Sequence, residues 1–76
     1  SYLFRGRHKV ITLSINGQQR QFSAPLSVSQ LLIELDLAGK RVAVELNGEI
    51  VPRSQHGSVG LADSDQLEIV VAVGGG

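Results

Sequence analysis

Three consecutive glycines, Gly74, Gly75 and Gly76, end the sequence directly after its longest apolar run. Glycine has no Cβ, so such a stem can pass through a narrow channel and leave a terminal carboxylate uncrowded. A carboxylate presented in this way suits adenylation, in which it attacks the α-phosphate of ATP and releases pyrophosphate. The acyl adenylate can then accept a sulfur nucleophile and become a thiocarboxylate. The alternative interpretation is an inert flexible tail or a linker remnant.

Few other residues could carry chemistry. The chain contains no cysteine, which excludes disulfides, cysteine-ligated zinc and thiol nucleophiles. Its two histidines, His8 and His56, are far apart in sequence, and we predict that both are surface residues and not metal ligands. Asp63 and Asp65 suit a turn before a strand better than a catalytic carboxylate pair. We therefore predict no catalytic residue, no metal site and no cofactor bound by this chain.

The composition is that of a small globular domain. The 76 residues allow one domain, and with 42% apolar and only 18% charged residues a disordered chain is not expected. Seven basic and seven acidic residues cancel, whereas nucleic-acid binding usually needs a basic excess. The longest apolar run, residues 69–73, is too short to cross a membrane, and no signal peptide is visible. We therefore expect a cytoplasmic monomer that binds neither nucleic acid nor membrane.

Several segments have the alternating polarity or the β-branched content that is typical of strands. They are residues 9–15, 18–24, 41–46, 49–51 and 66–73. Asn16-Gly17 separates residues 9–15 from 18–24, and Asn47-Gly48 separates residues 41–46 from 49–51. The Asn-Gly dipeptide favours a tight hairpin because both of its positions tolerate positive φ. The second segment is polar apart from its core anchor, Phe22, which suits a sheet edge. The sequence thus predicts two hairpins and a later, more apolar strand.

One helix is predicted between the two hairpins. Ser27 and Gln30 have the spacing of a capping box, and an apolar stripe with helical periodicity follows them. Gly39 falls where a left-handed C-cap is expected. We therefore predict a helix over residues 28–37.

The order of these elements, two strands, a helix, two strands and a last strand, limits the fold. An all-apolar strand prefers the centre of a sheet, so we place residues 66–73 beside the first strand, with the hairpins on either side. The helix then covers one face, which gives an α+β fold of the β-grasp, or ubiquitin-like, topology: a mixed sheet of four to five strands on one helix. Residues 9–73 are the predicted domain. Residues 1–8 are an extension, either flexible or introduced by cloning, and residues 74–76 are a flexible tail.

Exposed aliphatic residues of the predicted sheet could contact a partner. Val70 and Ala72 of the last strand, with Ala43 of its neighbour, are predicted on the face away from the helix. Such residues can mark a docking surface, although scattered surface apolarity is also ordinary. Arg53, which follows Pro52, either faces a partner or is a solvated loop residue. We predict a docking surface formed by Ala43, Val70 and Ala72.

The sequence resembles the bacterial thiamine-biosynthesis sulfur-carrier family, ThiS, over residues 9–76. The matching stretches are residues 11–17 (ITLSING), 27–35 (SVSQLLIEL), 42–53 (VAVELNGEIVPR), 63–70 (DSDQLEIV) and the final Gly75-Gly76. The part LNGEIVPR is the most specific, since it separates this family from other β-grasp carriers. The family usually has Gly-Asp where this chain has Ser64-Asp65, ends in two glycines, and has no counterpart of residues 1–8.

This resemblance implies a sulfur carrier that is not itself an enzyme. It implies that an E1-like adenylyltransferase, which itself binds ATP and Mg²⁺, adenylates Gly76, with Gly74 and Gly75 threaded into its active site. A sulfurtransferase or cysteine desulfurase system then supplies sulfur, and thiazole synthase uses the thiocarboxylate. Two alternatives stay open: the small subunit of molybdopterin synthase, which uses the same tail chemistry, and a β-grasp module that binds partners non-covalently.

Overall fold

The structure, a computed structural model, describes residues 9–72 of the chain. Its elements in chain order are β1 (Lys9–Ile15), β2 (Gln18–Ala24), α1 (Val28–Glu34), β3 (Val42–Leu46), β4 (Glu49–Val51), a 3₁₀ turn (Arg53–Gln55) and β5 (Gln66–Val71). The order across the sheet is β2-β1-β5-β3-β4. Strands β1 and β5 run parallel and the other neighbouring pairs run antiparallel. The predicted fold, a mixed sheet on one helix with the last strand at its centre, is confirmed.

Both predicted hairpins are present with the expected turn geometry. Asn16 and Gly17 have φ of 51° and 83°, and Asn47 and Gly48 have φ of 52° and 87°. Two successive residues with positive φ match the twist of the flanking strands, and Asn and Gly adopt this conformation most readily. The polar strand β2 lies at the sheet edge as predicted. Its one aromatic residue, Phe22, packs against the core.

The hydrophobic core lies between α1 and one face of the sheet. Its most deeply buried side chains include Leu13 of β1 and Leu31 of α1, both 0% exposed. The buried set is Ile11, Leu13, Ile15, Leu26, Val28, Leu31, Leu32, Val44, Val51, Leu61, Leu67 and Ile69. Burial of each such side chain stabilises the fold by about 1.5–3 kcal/mol, which is how a helix as short as α1 remains formed.

The start of α1 has the predicted capping box. The Ser27 side-chain oxygen accepts a hydrogen bond from the Gln30 backbone N–H at 3.1 Å. In return, the Gln30 side-chain oxygen accepts one from the Ser27 backbone N–H at 2.8 Å. Two backbone donors that a helix start would leave unpaired are therefore satisfied.

The end of α1 differs from the prediction. The helix stops at Glu34 instead of continuing to residue 37, and Leu35 is its C-cap residue. Asp36 adopts the left-handed conformation after it, with φ of 61°. Gly39 also has positive φ, 82°, but lies farther along, in the connection to β3. The predicted C-cap at Gly39 is therefore wrong.

A Schellman motif explains the earlier end. The Leu37 N–H donates to the Leu32 carbonyl at 2.7 Å, and the Asp36 N–H donates to the Ile33 carbonyl at 3.0 Å. This reversal of the chain brings Leu37 back against the core. Leu37 is partly buried, so it contributes a fraction of the roughly 1.5–3 kcal/mol of a fully buried leucine. Together with the two hydrogen bonds, this offsets the cost of about 1–2 kcal/mol for one non-glycine residue in the left-handed region.

We expect Asp36→Gly to raise the free energy of unfolding by about 0.5–1 kcal/mol, because glycine adopts the left-handed conformation without a steric penalty. Urea-induced unfolding with an unchanged m value measures this gain. Asp36→Ala is the matched control, since it removes the carboxylate but keeps the Cβ, and it should not stabilise the protein. An equal gain from alanine would assign the effect to the carboxylate and contradict the backbone explanation.

Candidate functional site

The predicted reactive residue, Gly76, and its stem, Gly74 and Gly75, lie outside the described residues, as do Val73 and His8. The part of the site that the structure describes is the end of β5 and the residue that follows it, Ala72. These positions set where the glycines leave the domain.

Strand β3 holds the end of β5 along one side. Ala43 pairs with Val70, and Val42 pairs with Val71, in an antiparallel register. The ladder continues beyond the strand, because the Ala72 N–H donates to the Arg41 carbonyl at 2.8 Å. The strand ends at Val71, short of the predicted end at residue 73.

On its other side, β5 is held by a side chain. The parallel register with β1 includes only Ser14 with Gln66 and Ile15 with Leu67. The chain then turns at Asn16, whose carboxamide continues the ladder as a peptide group would. Its oxygen accepts from the Ile69 N–H at 2.8 Å, and its nitrogen donates to the Ile69 carbonyl at 3.0 Å. The sequence had marked Asn16 only as a turn residue.

The predicted docking residues share the sheet face that points away from α1. Ala43, Val70 and Ala72 are exposed, and Val70 keeps 63% of its surface accessible. Ile50 of β4 extends the same face and is 73% exposed. All three residues are exposed and Ala43 is the cross-strand partner of Val70, while their role in docking is still a prediction.

Two carboxylates on this open face were not identified from the sequence as a pair. Glu45 of β3 and Glu68 of β5 are direct cross-strand partners. Both are exposed. The alternation of buried and exposed residues in each strand assigns each glutamate to the open face, but only the adjacency of β3 and β5 brings them together.

The loop before β5 has the turn role predicted for its aspartates. The Asp63 carboxylate accepts from the Thr12 N–H at 2.7 Å, and the Asp65 carboxylate accepts from the Ala62 N–H at 2.8 Å. Asp65 also accepts from the Asn47 side-chain nitrogen at 3.1 Å. Between the two aspartates, Ser64 has φ of 74°, a left-handed value that favours glycine. This conformation gives a physical reason for the glycine that the resembling family usually has there.

The prediction that His56 is a surface residue is wrong. It is only 7% exposed, and its Nε2 lies 3.2 Å from the Val51 carbonyl oxygen. Its own carbonyl accepts from the Ser29 N–H at 2.8 Å, which attaches the 3₁₀ region to the start of α1. The side chain is buried because the connection between β4 and β5 folds under the helix, a contact that local sequence does not reveal.

Arg53 stays exposed on the 3₁₀ turn and lines a groove beside α1 together with Lys40 and His56. The two interpretations of Arg53, a partner contact or a solvated residue, are both compatible with this position. Among residues 9–72, no cluster of three His, Cys, Asp or Glu side chains could hold a metal ion. Within the same range, no helix is long and apolar enough to span a membrane.

Comparison with known proteins relates this geometry to a family. The model of the ThiS family matches residues 13–76. The crystal structure of the thiamine biosynthesis protein (ThiS) from Geobacter metallireducens has a TM-score of 0.74 to this chain at 33% sequence identity. That match covers 87% of this chain and 100% of the Geobacter chain, so the β-grasp fold is shared over the full length of the Geobacter chain.

Two curated relatives extend the comparison. The thiazole synthase of Paramagnetospirillum magneticum is 52% identical over 64 residues, which are 84% of this chain but only 20% of the synthase. The sulfur carrier protein ThiS of Bacillus subtilis is 37% identical over 65 residues, covering 84% of this chain and 98% of that protein. From the extent of the family match and this full-length relative, the chain belongs to the ThiS family.

Proposed function

We propose that the chain is a sulfur carrier of thiamine biosynthesis and not an enzyme. The family match, which continues to Gly76, is the observation that carries this proposal. A relative of nearly the same length is named a sulfur carrier protein, which supports the carrier role. Longer relatives are named thiazole synthase, which supports a synthase of that class as the acceptor of the sulfur.

The proposed chemistry takes place at the carboxylate of Gly76. An E1-like adenylyltransferase, which itself binds ATP and Mg²⁺, brings this carboxylate to the α-phosphorus of ATP, and the bond to pyrophosphate breaks. The outer sulfur of a persulfide on a sulfurtransferase or cysteine desulfurase system then attacks the carbonyl carbon and displaces AMP, and a second thiol of that system cleaves the S–S bond and becomes part of a disulfide. The resulting thiocarboxylate is the sulfur donor for thiazole synthase.

The cytoplasmic location and the monomeric state remain predictions.

The chain itself contributes a strand, β5, that is hydrogen-bonded on both sides and leads to the C-terminal glycines. Strand β5 is held by β3 as far as Ala72 and by Asn16 as far as Ile69. Gly76 follows Ala72 by four residues, which span at most about 14 Å when fully extended. An enzyme that acts on Gly76 must therefore contact the end of the sheet, where Ala43 and Val70 are exposed.

The test incubates the full chain with the E1-like enzyme of its source organism, ATP, Mg²⁺ and a sulfur donor, followed by intact-mass analysis. We expect a mass gain equal to the replacement of one oxygen by sulfur, and no gain after deletion of Gly76. The deletion variant should unfold at the same temperature as the parent, because Gly76 lies beyond the core-forming residues. Failure of the parent chain to gain mass would contradict the carrier role.

The same assay separates the two alternatives. A chain that gains sulfur but then forms a stable complex only with molybdopterin synthase belongs to molybdenum-cofactor synthesis. A chain that binds its partners without any mass gain is a non-covalent interaction module. The thiamine assignment predicts transfer of the sulfur to thiazole synthase.

A further inference from the structure

The two carboxylates of the open sheet face oppose each other directly. Glu45 and Glu68 are paired in the β3–β5 register, and both are exposed. Like charges at directly opposed positions destabilise a sheet, whereas opposite charges there stabilise it. The free chain therefore keeps a pair that reduces its own stability at the centre of its open face.

The Lys and Arg side chains of the described residues are attached at other positions. These are Lys9, Arg20, Lys40, Arg41 and Arg53. Arg41 is the nearest of them along β3, and its distance of four residues from Glu45 corresponds to about 13 Å in an extended chain. Arg20 is directed over the ring of Phe22, 5.7 Å from its centroid. Within residues 9–72, no Lys or Arg is therefore attached beside the two glutamates, which leaves both carboxylates available to a cation from a partner.

Exposed aliphatic side chains flank the two carboxylates. Ile50 is the cross-strand partner of Glu45 and is 73% exposed. Val70 follows Glu68 on the same face of β5 and is 63% exposed. An arginine side chain matches both features, because its apolar stem packs on aliphatic residues while its guanidinium donates to carboxylates in a planar, multiple-bond geometry.

We propose that Glu45 and Glu68 form a docking site for an arginine side chain of the adenylating enzyme that acts on Gly76. The inference rests on the proposed function and names the chemistry of that partner's surface. The covalent reach of the tail limits the occupant to an enzyme that acts on Gly76, and the adenylating enzyme is the one that binds the unmodified carboxylate. Glu68 precedes Ala72 by four residues, and Gly76 follows it by four, so the glutamates lie within about 30 Å of the reacting carboxylate. An enzyme that encloses Gly76 and extends along the open sheet face over this distance contacts both glutamates.

The experiment compares Glu45→Lys with Glu34→Lys in the full chain. The second variant makes the same charge change at an exposed position of α1, on the opposite layer. Calorimetric titration with the E1-like enzyme, without ATP, measures the Kd, and thermal unfolding of the free chain measures the Tm. We expect Glu45→Lys to raise the Tm by about 2–5 °C, because an ion pair with Glu68 replaces the repulsion.

The same Glu45→Lys change should weaken the Kd about tenfold or more, because the new ammonium group repels the arginine of the enzyme. Glu68→Gln, a milder change, should weaken it by about threefold to tenfold, since one of two acceptors is lost. Glu34→Lys should change the Kd by less than about twofold. A more stable chain that binds its enzyme less tightly is an outcome that a purely structural role of the pair does not produce.

Each other outcome has a defined meaning. An unchanged Kd for Glu45→Lys, or an equal loss for Glu34→Lys, overturns the docking site. A parent chain that binds the enzyme through Glu45 but gains no sulfur in the mass assay overturns the proposed function and leaves the docking site in place. A parent chain that the enzyme does not bind overturns both.

Discussion

Replacing Asn16 with alanine should lower the free energy of unfolding by about 3 kcal/mol. The carboxamide of Asn16 pairs with both the N–H and the carbonyl of Ile69, at 2.8 and 3.0 Å. Loss of a partner costs a buried backbone group about 1–3 kcal/mol, and these bonds are partly buried. Alanine must also adopt the positive φ of 51° that asparagine tolerates, which adds about 1 kcal/mol. The total free energy of unfolding of a native protein is about 5–15 kcal/mol, so this loss is a large part of it.

Urea-induced unfolding measures the total loss from Asn16→Ala, and amide hydrogen exchange at Ile69 locates it. Asn16→Gly separates the two causes, because glycine accepts the positive φ but cannot form the bonds, and it should recover about 1 kcal/mol. The tail leaves the domain from β5, so faster exchange at Ile69 would report fraying at the base of the tail.

Asn47→Ala is the matched control for this prediction. Asn47 has the same turn geometry, with φ of 52°, but its side chain bonds to Asp65 and to the Gln66 N–H and not to Ile69. We expect this variant to be destabilised while the Ile69 amide still exchanges only by global unfolding. Unchanged local protection of Ile69 in Asn16→Ala would show that the carboxamide does not hold β5.

The second large effect is expected for His56→Ala, with a loss of about 3 kcal/mol. The substitution removes a side chain that is only 7% exposed and leaves a cavity beneath α1. It also removes the partner of the Val51 carbonyl, which His56 Nε2 approaches to 3.2 Å. The backbone bond from the Ser29 N–H to the His56 carbonyl does not depend on the side chain and should persist.

His56→Phe serves as the control, because it keeps an aromatic ring, slightly larger than the imidazole, in the site and loses the hydrogen bond. Its expected loss is about 1–2 kcal/mol, and the difference between the two variants measures the contribution of packing. Denaturant unfolding of all three proteins gives both values. A loss of less than about 0.5 kcal/mol for His56→Ala is typical of a surface position and would contradict the burial of this side chain.

Much of the fold could be predicted from short segments. The alternation in residues 9–15 identifies a strand with one buried face, and the dipeptides Asn16-Gly17 and Asn47-Gly48 identify the hairpin turns. Ser27 and Gln30 identify the start of α1. Each of these signals involves residues within a few positions of one another, so the local chain alone determines the geometry.

Two of the errors involve packing against the core. The end of α1 depends on the return of the partly buried Leu37 to the core, which favours an earlier end than Gly39 indicates. The burial of His56 depends on the path of a long connection beneath α1. Neither contact leaves a periodic signal in the sequence, and propensity is overridden wherever tertiary packing contributes more.

The sequence by itself determined that this chain folds as a β-grasp domain followed by three glycines, because local propensities and apolar periodicity specify its strands, turns and helix. Tertiary structure alone decided which side chains surround the strand that leads to those glycines. Asn16 meets Ile69 across 53 positions of sequence, and Glu45 meets Glu68, because a central strand takes its neighbours from both hairpins. Strand pairing aligns residues by register, and register is a property of the whole assembled sheet.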